Sequence, residues 1–322
     1  MPVAPPGTYA EEVPNFDRVV LIFNPHSTGR APELAEELRS ELGRRVPALA
    51  VDLVSTEHAG HAIDLARAAA GKGRPLVVSV SGDGGYNEVV NGVMQAGNDL
   101  ASCAVLPAGN ANDHRRATEE RPLVEAIVAG EVKRIDLLRL TVAGDDEGGV
   151  DPAGDEHDGG EVRYTHSYIG LGLTPVVAVD LEKGSKGSLR EMVTVVRSFA
   201  RFRPFEIEVL NGSGRSTRER FDSLVFANIA QMAKVATLTE DKGRPDDGMF
   251  EVIMVRHTAK WRVLATAVKA SLSGLGKQPS VRSYAFTTLT PMPLQLDGEV
   301  MDVPAGARVR VDIATRALQT VL

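Results

Sequence analysis

The sequence predicts two domains, a parallel α/β sheet domain over residues 15–130 and a mainly antiparallel β domain over residues 131–308. The chain has 322 residues, which is more than one hydrophobic core usually holds. Strand and helix patterns alternate over its first part, and a two-residue alternation takes over after about Glu131. We expect the last segment, residues 309–322, to return to the first domain.

The first part begins with Arg18–Phe23, a run of apolar and β-branched residues that Asn24-Pro25 ends. Segment 31–42 carries a leucine at every fourth position, which indicates a helix. The same reasoning predicts further strands at 49–54, 76–80 and 104–106, and further helices at 59–70, 86–94 and 122–129. Short connections imply right-handed βαβ units, so all strand-to-helix loops lie at the carboxyl edge of one parallel sheet.

The second part is predicted to be rich in strands. They are expected at 135–142, 162–168, 205–210, 223–229, 250–255 and 284–289, with helices at 188–201 and 258–271. Segment 144–160 is acidic, rich in glycine and nearly free of apolar residues, so we interpret it as a disordered hairpin tip.

Composition excludes several classes of protein. A net charge of −7 gives no support to nucleic-acid binding. The single cysteine, Cys103, cannot form an intrachain disulfide and is expected in the core. The N-terminus shows no signal peptide, and no apolar run is long enough to span a bilayer. We therefore expect a cytoplasmic protein whose contact with membranes is peripheral.

The loop after the third strand, Ser81-Gly82-Asp83-Gly84-Gly85, is typical of a phosphate site. Glycines let a backbone approach a phosphate closely, and a helix N-terminus offers free N–H groups. A carboxylate beside phosphates needs a cation between them, so we assign Asp83 a role with Mg²⁺. The alternative is a tight turn in which the aspartate caps the helix.

Two more loops at the same edge carry similar residues. Loop 107–113 places small residues and amides at a helix start, and loop 24–30 holds hydroxyls, a glycine and a cation. Each alone could be a capping turn or a polar βα loop. Three loops at one edge that are each suited to bind phosphate favour a nucleotide site.

These loops resemble the signatures of the diacylglycerol kinase catalytic family. The matching segments are Asn24-Pro25-x-Ser27-x-Gly29, residues 81–92 and residues 107–113, followed later by residues 245–250 and Asp297-Gly298-Glu299. They occur in the family's order from about residue 18 to the C-terminus.

The resemblance implies a Rossmann-like nucleotide-binding domain related to NAD kinase and 6-phosphofructokinase, a β-sandwich domain, and an active site in the cleft between them. It implies ATP and Mg²⁺ as cofactors. It also implies a structural Mg²⁺ site at Arg244, Asp247 and Met249. Taken with the loops, it gives a candidate nucleotide site of Asn24, Pro25, Ser27, Thr28, Gly29, Arg30, Thr56, Ser81, Gly82, Asp83, Gly84, Gly85, Asn87, Glu88, Gly109, Asn110, Asn112 and Asp113.

The candidate catalytic residues are Asp83, Asp297 and Glu299. Phosphoryl transfer needs a carboxylate that accepts the proton of the acceptor hydroxyl, and Gly298 allows a tight turn that presents two acids. The alternative is a solvated hairpin turn, which the resemblance disfavours. Which of Asp297 and Glu299 is the base is left open.

Some positions depart from the family pattern. The family usually has Gly where Ser81 stands and Thr where Gly85 and Asn110 stand. Its Gly-rich segment after Asn228 is absent. Asn110 can still form hydrogen bonds. Gly85 cannot replace a hydroxyl, and whether another side chain does so is left open.

The sequence thus predicts an ATP- and Mg²⁺-dependent kinase that phosphorylates diacylglycerol or a related lipid alcohol. A soluble-substrate kinase like NAD kinase and a nucleotide-binding, non-catalytic regulator are the alternatives. Basic residues between 183 and 203 indicate either a helix packed on its own domain or contact with an anionic membrane surface. His58 and His61 have helical spacing for a metal but no acidic or cysteine companion nearby, so no metal is assigned to them. A homodimer is left open.

Overall fold

The computed structural model describes residues 15–27, 30–109, 112–144, 160–172, 204–210, 216–229, 231–232, 236–237, 245–257 and 276–321. Helices within this part are α1 Ala31–Arg45, α2 His61–Ala70, α3 Asp83–Ala96, α4 Asp113–Thr118 and α5 Leu123–Ala129. The first strands are β1 Arg18–Phe23, β2 Ala50–Ser55, β3 Pro75–Ser81, β4 Ser102–Pro107, β5 Lys133–Ala143, β6 Glu161–Thr165, β7 Tyr168–Gly172, β8 Phe205–Leu210 and β9 Ser216–Ala227. The later strands are β10 Gln231–Met232, β11 Ala236–Thr237, β12 Phe250–Arg256, β13 Ser280–Val281, β14 Ser283–Thr288, β15 Met292–Leu296, β16 Glu299–Val303 and β17 Arg308–Thr320.

The first four strands form a parallel sheet in the order β2-β1-β3-β4, as the sequence predicts. Alternate side chains of β1 face opposite sides. Leu21 packs in one core with Leu38 of α1 and Ile127 of α5. Val20 packs in the other with Val89 of α3, against the face that also carries α2. The sheet is therefore covered by helices on both sides, which is how parallel sheets are normally stabilised.

The later strands form a large antiparallel region. The core of this region contains several fully buried phenylalanines, among them Phe221, Phe226, Phe250 and Phe286. Strand β9 pairs with β7, β8 and β12, and β15 pairs with β7 and β16. The predicted combination of a parallel α/β part and an antiparallel β part is confirmed.

Strand β17 joins the two regions. Over most of its length it pairs antiparallel with β14 and β5, and its last residues, Gln319 and Thr320, pair parallel with Ser102 and Cys103 of β4. The register shifts between Ala314 and Leu318. Within the described residues, the two regions consequently form one continuous 15-stranded sheet.

Several elements differ from the expectation. Helix α3 begins at Asp83, so the glycine motif is the helix's first turn rather than a loop before it. The sequence predicts a helix start at loop 107–113 but gives no bounds for α4, and it does not predict strands β15, β16 and β17. The predicted strand 162–168 is two strands, separated at His166-Ser167. The predicted helices 188–201 and 258–271, the basic segment 183–203 and nearly all of the hairpin tip 144–160 lie outside the described residues. Within the described part, no helix is both long and apolar enough to cross a membrane.

Candidate active site

The carboxyl edge of the parallel sheet brings the predicted loops together. The Thr56 N–H donates to the Phe23 carbonyl at 2.9 Å, and the Ala108 N–H donates to the Ser81 carbonyl at 2.9 Å. A Cβ at Gly109 would lie 2.5 Å from the Gly82 Cα, so these two loops touch through their glycines. The loops that follow β1 to β4 therefore share one rim, and glycine is required there because two backbones meet.

Asp83 is the first residue of α3 and lies against the start of α4. Its Oδ1 accepts the His114 N–H at 3.3 Å. The chain can turn into α4 because Asn112 adopts a left-handed conformation with φ 53°. Burial raises the pKa of Asp83 to about 6 and outweighs the lowering by the Asp113 and His114 N–H groups, and the Asp113 charge raises it further. Asp83 thus caps α4 rather than its own helix, and nearby cations would stabilise its ionised form.

The hairpin between β15 and β16 reaches the same place from the antiparallel region. Its turn contains Asp297 with φ 47° and Gly298 with φ 99°, and both values lie in the left-handed range that favours glycine. Asp297 is 0% exposed. It accepts N–H groups from His166 at 2.8 Å, Tyr168 at 2.9 Å and the Asn87 side chain at 2.9 Å, and a further one from Ser167 at 3.1 Å.

The environment of Asp297 suits a positioning role. Both of its oxygens are engaged, and its four donors belong to α3, to the β6–β7 connection and to the first residue of β7. Burial raises its pKa to about 6 against the lowering by these donors. The resemblance implies that Asp297 approaches the acceptor hydroxyl; in the structure this carboxylate also ties the hairpin to α3.

Glu299 has a different environment two residues later. Its side chain is only partly exposed, and its Cγ lies 3.4 Å from where a Cβ at Gly84 would stand. Glu299 therefore lies against the first turn of α3. Partial burial, and then the charge of Glu88 and a hydrogen bond with it, raise its pKa to about 7, while Arg163 lowers it. A carboxyl group of this kind is half ionised near neutral pH.

A buried ring cluster lies behind the two aspartates. Tyr86, His114 and His166 have ring centroids 4.6–5.1 Å apart. The His166 Nε2 lies 3.3 Å from Asp297 Oδ2, and its Nδ1 lies 2.7 Å from the Ser167 Oγ. Burial lowers the pKa of His166 to about 3 and that of His114 well below its ordinary value, so both rings are neutral. The sequence carries no signal for this cluster, because its members are far apart along the chain.

The remaining candidates of the first loop lie on the rim with varied partners. The Asn24 side chain accepts the His26 N–H at 2.8 Å, next to Pro25. The Ser27 hydroxyl is buried and has no hydrogen-bond partner within the described residues. Arg30 is the left-handed residue before α1 and pairs with Glu37 at 3.1 Å, with both side chains largely exposed.

The candidate nucleotide-site residues in the other loops mostly form hydrogen bonds that hold the rim in place. The Glu88 Oε1 accepts the Gly60 N–H at 3.2 Å, and Asn87 is buried with its amide on Asp297 and the Tyr164 carbonyl. Asn112 holds both backbone groups of Gly109, at 3.2 and 2.8 Å. Thr28, Gly29, Asn110 and Arg244 lie outside the described residues.

The predicted structural Mg²⁺ site is described only in part. The Asp247 Oδ1 accepts the Met249 N–H at 2.9 Å. The Gly248 N–H donates to Asp136, which also accepts the Arg316 N–H at 2.6 Å. Partial burial raises the pKa of Asp247 against the lowering by the Met249 N–H, and the charges of Asp136 and Asp246 raise it further.

The rim suits a nucleotide that brings its own metal. Within the described residues, no three His, Cys, Asp or Glu side chains are grouped so that they could hold a metal alone. Proteins commonly bind Mg²⁺ through one or two carboxylates together with substrate phosphates, and Asp83 could supply such a ligand. Among the described residues, no side chain caps helix α3. The first bonded amide of the helix is that of Tyr86, so three N–H groups precede it at the rim. With the unpartnered Ser27 hydroxyl, these groups fit a triphosphate.

Fold and site together define a class of protein. In it, the loops at the carboxyl edge of a parallel α/β sheet are rich in glycine, and a hairpin with two carboxylates from an antiparallel region faces them. Residues 18–140 match the family described as the diacylglycerol kinase catalytic domain. The resemblance of the sequence motifs to the diacylglycerol kinase catalytic family is thereby confirmed.

Relatives extend the similarity over most of the chain. A protein named as YegS-like lipid kinase from Chromohalobacter salexigens is 25% identical over 285 residues, 84% of this chain and 84% of its own length. A diacylglycerol kinase from Staphylococcus saprophyticus is 25% identical over 264 residues, 76% of this chain and 77% of its own.

Solved structures share the fold. Two chains from Bacillus anthracis str. Sterne superpose with TM-scores of 0.69 and 0.65, each at 16% identity and each covering 95% of this chain and 97% of the other. The second of them is described as a diacylglycerol kinase. At this identity the likeness supports the fold alone.

Proposed function

We propose that this chain is an ATP- and Mg²⁺-dependent lipid kinase, which transfers the γ-phosphate to the hydroxyl of diacylglycerol or a related lipid alcohol. One observation carries the proposal. Glu299, from the far end of the chain, rests on Gly84 in the turn that begins with Asp83. This places a carboxylate that can take up a proton beside the start of a helix that can bind phosphate.

The nucleotide side of the site consists mainly of backbone. The free amides at the start of α3 would hold phosphate oxygens, and the glycine contact between Gly82 and Gly109 would keep the rim flat enough for a triphosphate. Asp83 would hold Mg²⁺, which neutralises charge on the phosphates when bound. A cation there would also oppose the rise that burial causes in the pKa of Asp83.

Glu299 would act as the general base. Its carboxylate takes the proton of the acceptor hydroxyl, and the acceptor oxygen forms a bond to the γ-phosphorus. The bond from that phosphorus to the bridging oxygen breaks, and its electrons leave with ADP. A base works best when its pKa lies near the working pH, and partial burial together with Glu88 raises that of Glu299 to about 7. Asp297 would position this base through the hairpin.

Two observations support a lipid acceptor. Both relatives described above carry names of lipid kinases. In the chain itself, Val300 follows Glu299 and is 70% exposed, so an apolar side chain is available beside the polar site. An acyl chain entering beside the base would cover it.

The test is phosphate transfer from labelled ATP to diacylglycerol in mixed micelles. Wild-type protein should phosphorylate the lipid, and Glu299→Gln should lower kcat by about 10²–10⁴ with a smaller effect on the ATP KM. Asp302→Asn, an exposed carboxylate on the same strand, is the matched control and should keep its activity.

Two outcomes would contradict the proposal. Tight ATP binding without turnover on any lipid alcohol would favour the non-catalytic regulator. Turnover on a soluble nucleotide instead of lipid would favour a kinase like NAD kinase.

A further inference from the structure

The start of α3 contains an arrangement of two neighbouring positions that the proposed function does not use. Gly85 lies in the first turn of the helix, and a Cβ there would come within 2.7 Å of both the Cβ and the Oγ of Ser81. Real Cβ atoms essentially never approach other heavy atoms so closely. The space over position 85 is therefore taken by the hydroxymethyl group of Ser81, which ends β3.

The Ser81 hydroxyl is held in this place by two contacts. It lies 2.6 Å from the Oγ of the buried Ser79, and it donates to the Gly82 carbonyl at 2.9 Å. That carbonyl also accepts the first helical hydrogen bond of α3, from the Tyr86 N–H at 3.1 Å. Ser81 thus fixes the peptide plane at which the helix begins.

The orientation of this plane determines where the free amides point. A peptide is planar, so a fixed Gly82 carbonyl also fixes the direction of the Asp83 N–H on the same plane. The following N–H groups take their direction from the same helix turn. Preorganised amides bind an anion more tightly than amides that must be ordered on binding.

We propose that Ser81 is a positioning residue for the triphosphate, which supplies from the end of β3 a hydroxyl that position 85 does not carry. Serine at 81 and glycine at 85 are then one unit, since the serine excludes any side chain at 85. This inference rests on the proposed function and adds a residue pair that orients the phosphate-binding turn.

The first experiment tests the spatial pairing by thermal unfolding, without activity. Gly85→Ala should lower Tm in the wild-type background, because its Cβ overlaps Ser81. In a Ser81→Gly background the same change should cost little or raise Tm, since alanine favours helix over glycine. Gly92→Ala is the control: its Cβ would meet the Ile63 carbonyl oxygen at 2.3 Å, so it should lower Tm equally in both backgrounds.

The second experiment tests the positioning role by calorimetric titration with ATP and Mg²⁺ in the absence of lipid. Ser81→Ala should raise the Kd of ATP about tenfold, as expected for losing a hydrogen bond that orients groups for a charged ligand. The double change Ser81→Gly with Gly85→Ser moves the hydroxyl from the end of β3 to the first turn of α3. It should recover most of the affinity for ATP. Ser102→Ala removes a buried hydroxyl from the neighbouring strand β4 and should leave Kd unchanged.

The outcomes separate this inference from the proposed function. Equal Tm losses for Gly85→Ala in both backgrounds would overturn the pairing. ATP binding that is as tight in Ser81→Ala as in wild type would overturn the positioning role and leave the kinase proposal standing. A wild-type protein that binds no ATP would overturn both.

Discussion

The two sides of the candidate site are built in different ways. On the parallel-sheet side, the functional groups follow directly from the ends of strands, and backbone amides and glycines dominate. On the antiparallel side, Asp297 reaches across 129–131 residues to the β6–β7 connection and 210 residues to Asn87. The first side depends on local chain geometry, whereas the second depends on long-range hydrogen bonds to one buried carboxylate.

On the hairpin between β15 and β16, this difference assigns stability to one carboxylate and chemistry to the other. Asp297 and Glu299 are two residues apart, yet the first is fully buried with its oxygens engaged and the second is exposed at the rim. We infer that a change at Asp297 acts through the fold and that a change at Glu299 acts through the reaction.

The sharpest test of that contrast is Asp297→Ala. Removing the carboxylate leaves four buried N–H groups without their acceptor, so the free energy of unfolding should fall by about 3–5 kcal/mol. Urea unfolding followed by circular dichroism measures the change. Asp302→Ala on the exposed face of β16 should change stability by less than about 0.5 kcal/mol. Equal effects at the two positions would break the comparison.

The next effect concerns the neutral histidine beneath Asp297. The folded-state pKa of His166 is about 3, below the ordinary 6.5, because burial disfavours the charged ring. Below pH 6.5 the unfolded chain takes up a proton that the folded chain does not, so stability is lost as pH falls from 6.5 towards 3. The raised pKa values of Asp83 and Asp297, both about 6, act in the opposite direction between about pH 6 and 4.

A difference measurement isolates the histidine from these opposing groups. Relative to wild type, His166→Gln should gain up to about 1.4 kcal/mol in unfolding free energy for each pH unit below 6.5. Unfolding titrations at pH 7.5, 6.0 and 5.0 would show it. A difference independent of pH would mean that His166 has the same pKa in the folded and the unfolded chain, and would contradict its burial as a neutral ring.

A smaller effect is expected at the glycine contact of the rim. Gly109→Ala places a Cβ 2.5 Å from the Gly82 Cα and should cost about 1–3 kcal/mol, because two backbones must separate. Gly43→Ala, in α1 with nothing within 4 Å of the new Cβ, should instead stabilise by up to about 1 kcal/mol. Differential scanning calorimetry should show a lower Tm for Gly109→Ala and a higher Tm for Gly43→Ala. An unchanged Tm for Gly109→Ala would mean that the rim loops can move apart freely.

The smallest expected change in stability is that of Glu299→Gln. The pKa of Glu299 is raised to about 7, so its ionisation weakens the fold as pH rises from 4.5 through 7. The glutamine variant should therefore match wild type at pH 5 and be slightly more stable at pH 8, although it loses phosphate transfer. A clear loss of stability at both pH values would assign Glu299 to the scaffold with Asp297.

Much of the parallel side could be predicted from the sequence. Strands β1 to β4 carry short apolar runs, and the rim is where the topology of parallel sheets requires it. The sequence predicts a start of α3 that is three residues too late. Asp83-Gly84-Gly85 has the composition of a turn, and its contacts with α4 and the β15–β16 hairpin cannot be seen from the sequence. Glycine is a poor helix former, and at position 85 the contact with Ser81 requires it.

The antiparallel side could be predicted only in outline. The order of strands β7, β9, β15 and β16 depends on pairings between distant segments, which two-residue alternation does not encode. The motif Asp297-Gly298-Glu299 identified two acids, and only their burial distinguishes the support from the candidate base. The meeting of His114 and His166 had no signal in the sequence.

The pairing of β17 with β4 has a consequence for biosynthesis. Strand β4 emerges from the ribosome more than two hundred residues before Gln319 and Thr320, which pair with its outer edge. Until then the nascent first region carries an open strand edge, and such edges invite pairing with other chains. Folding intermediates of this chain should consequently be prone to pairing with other chains through that edge until residue 320 has been synthesised.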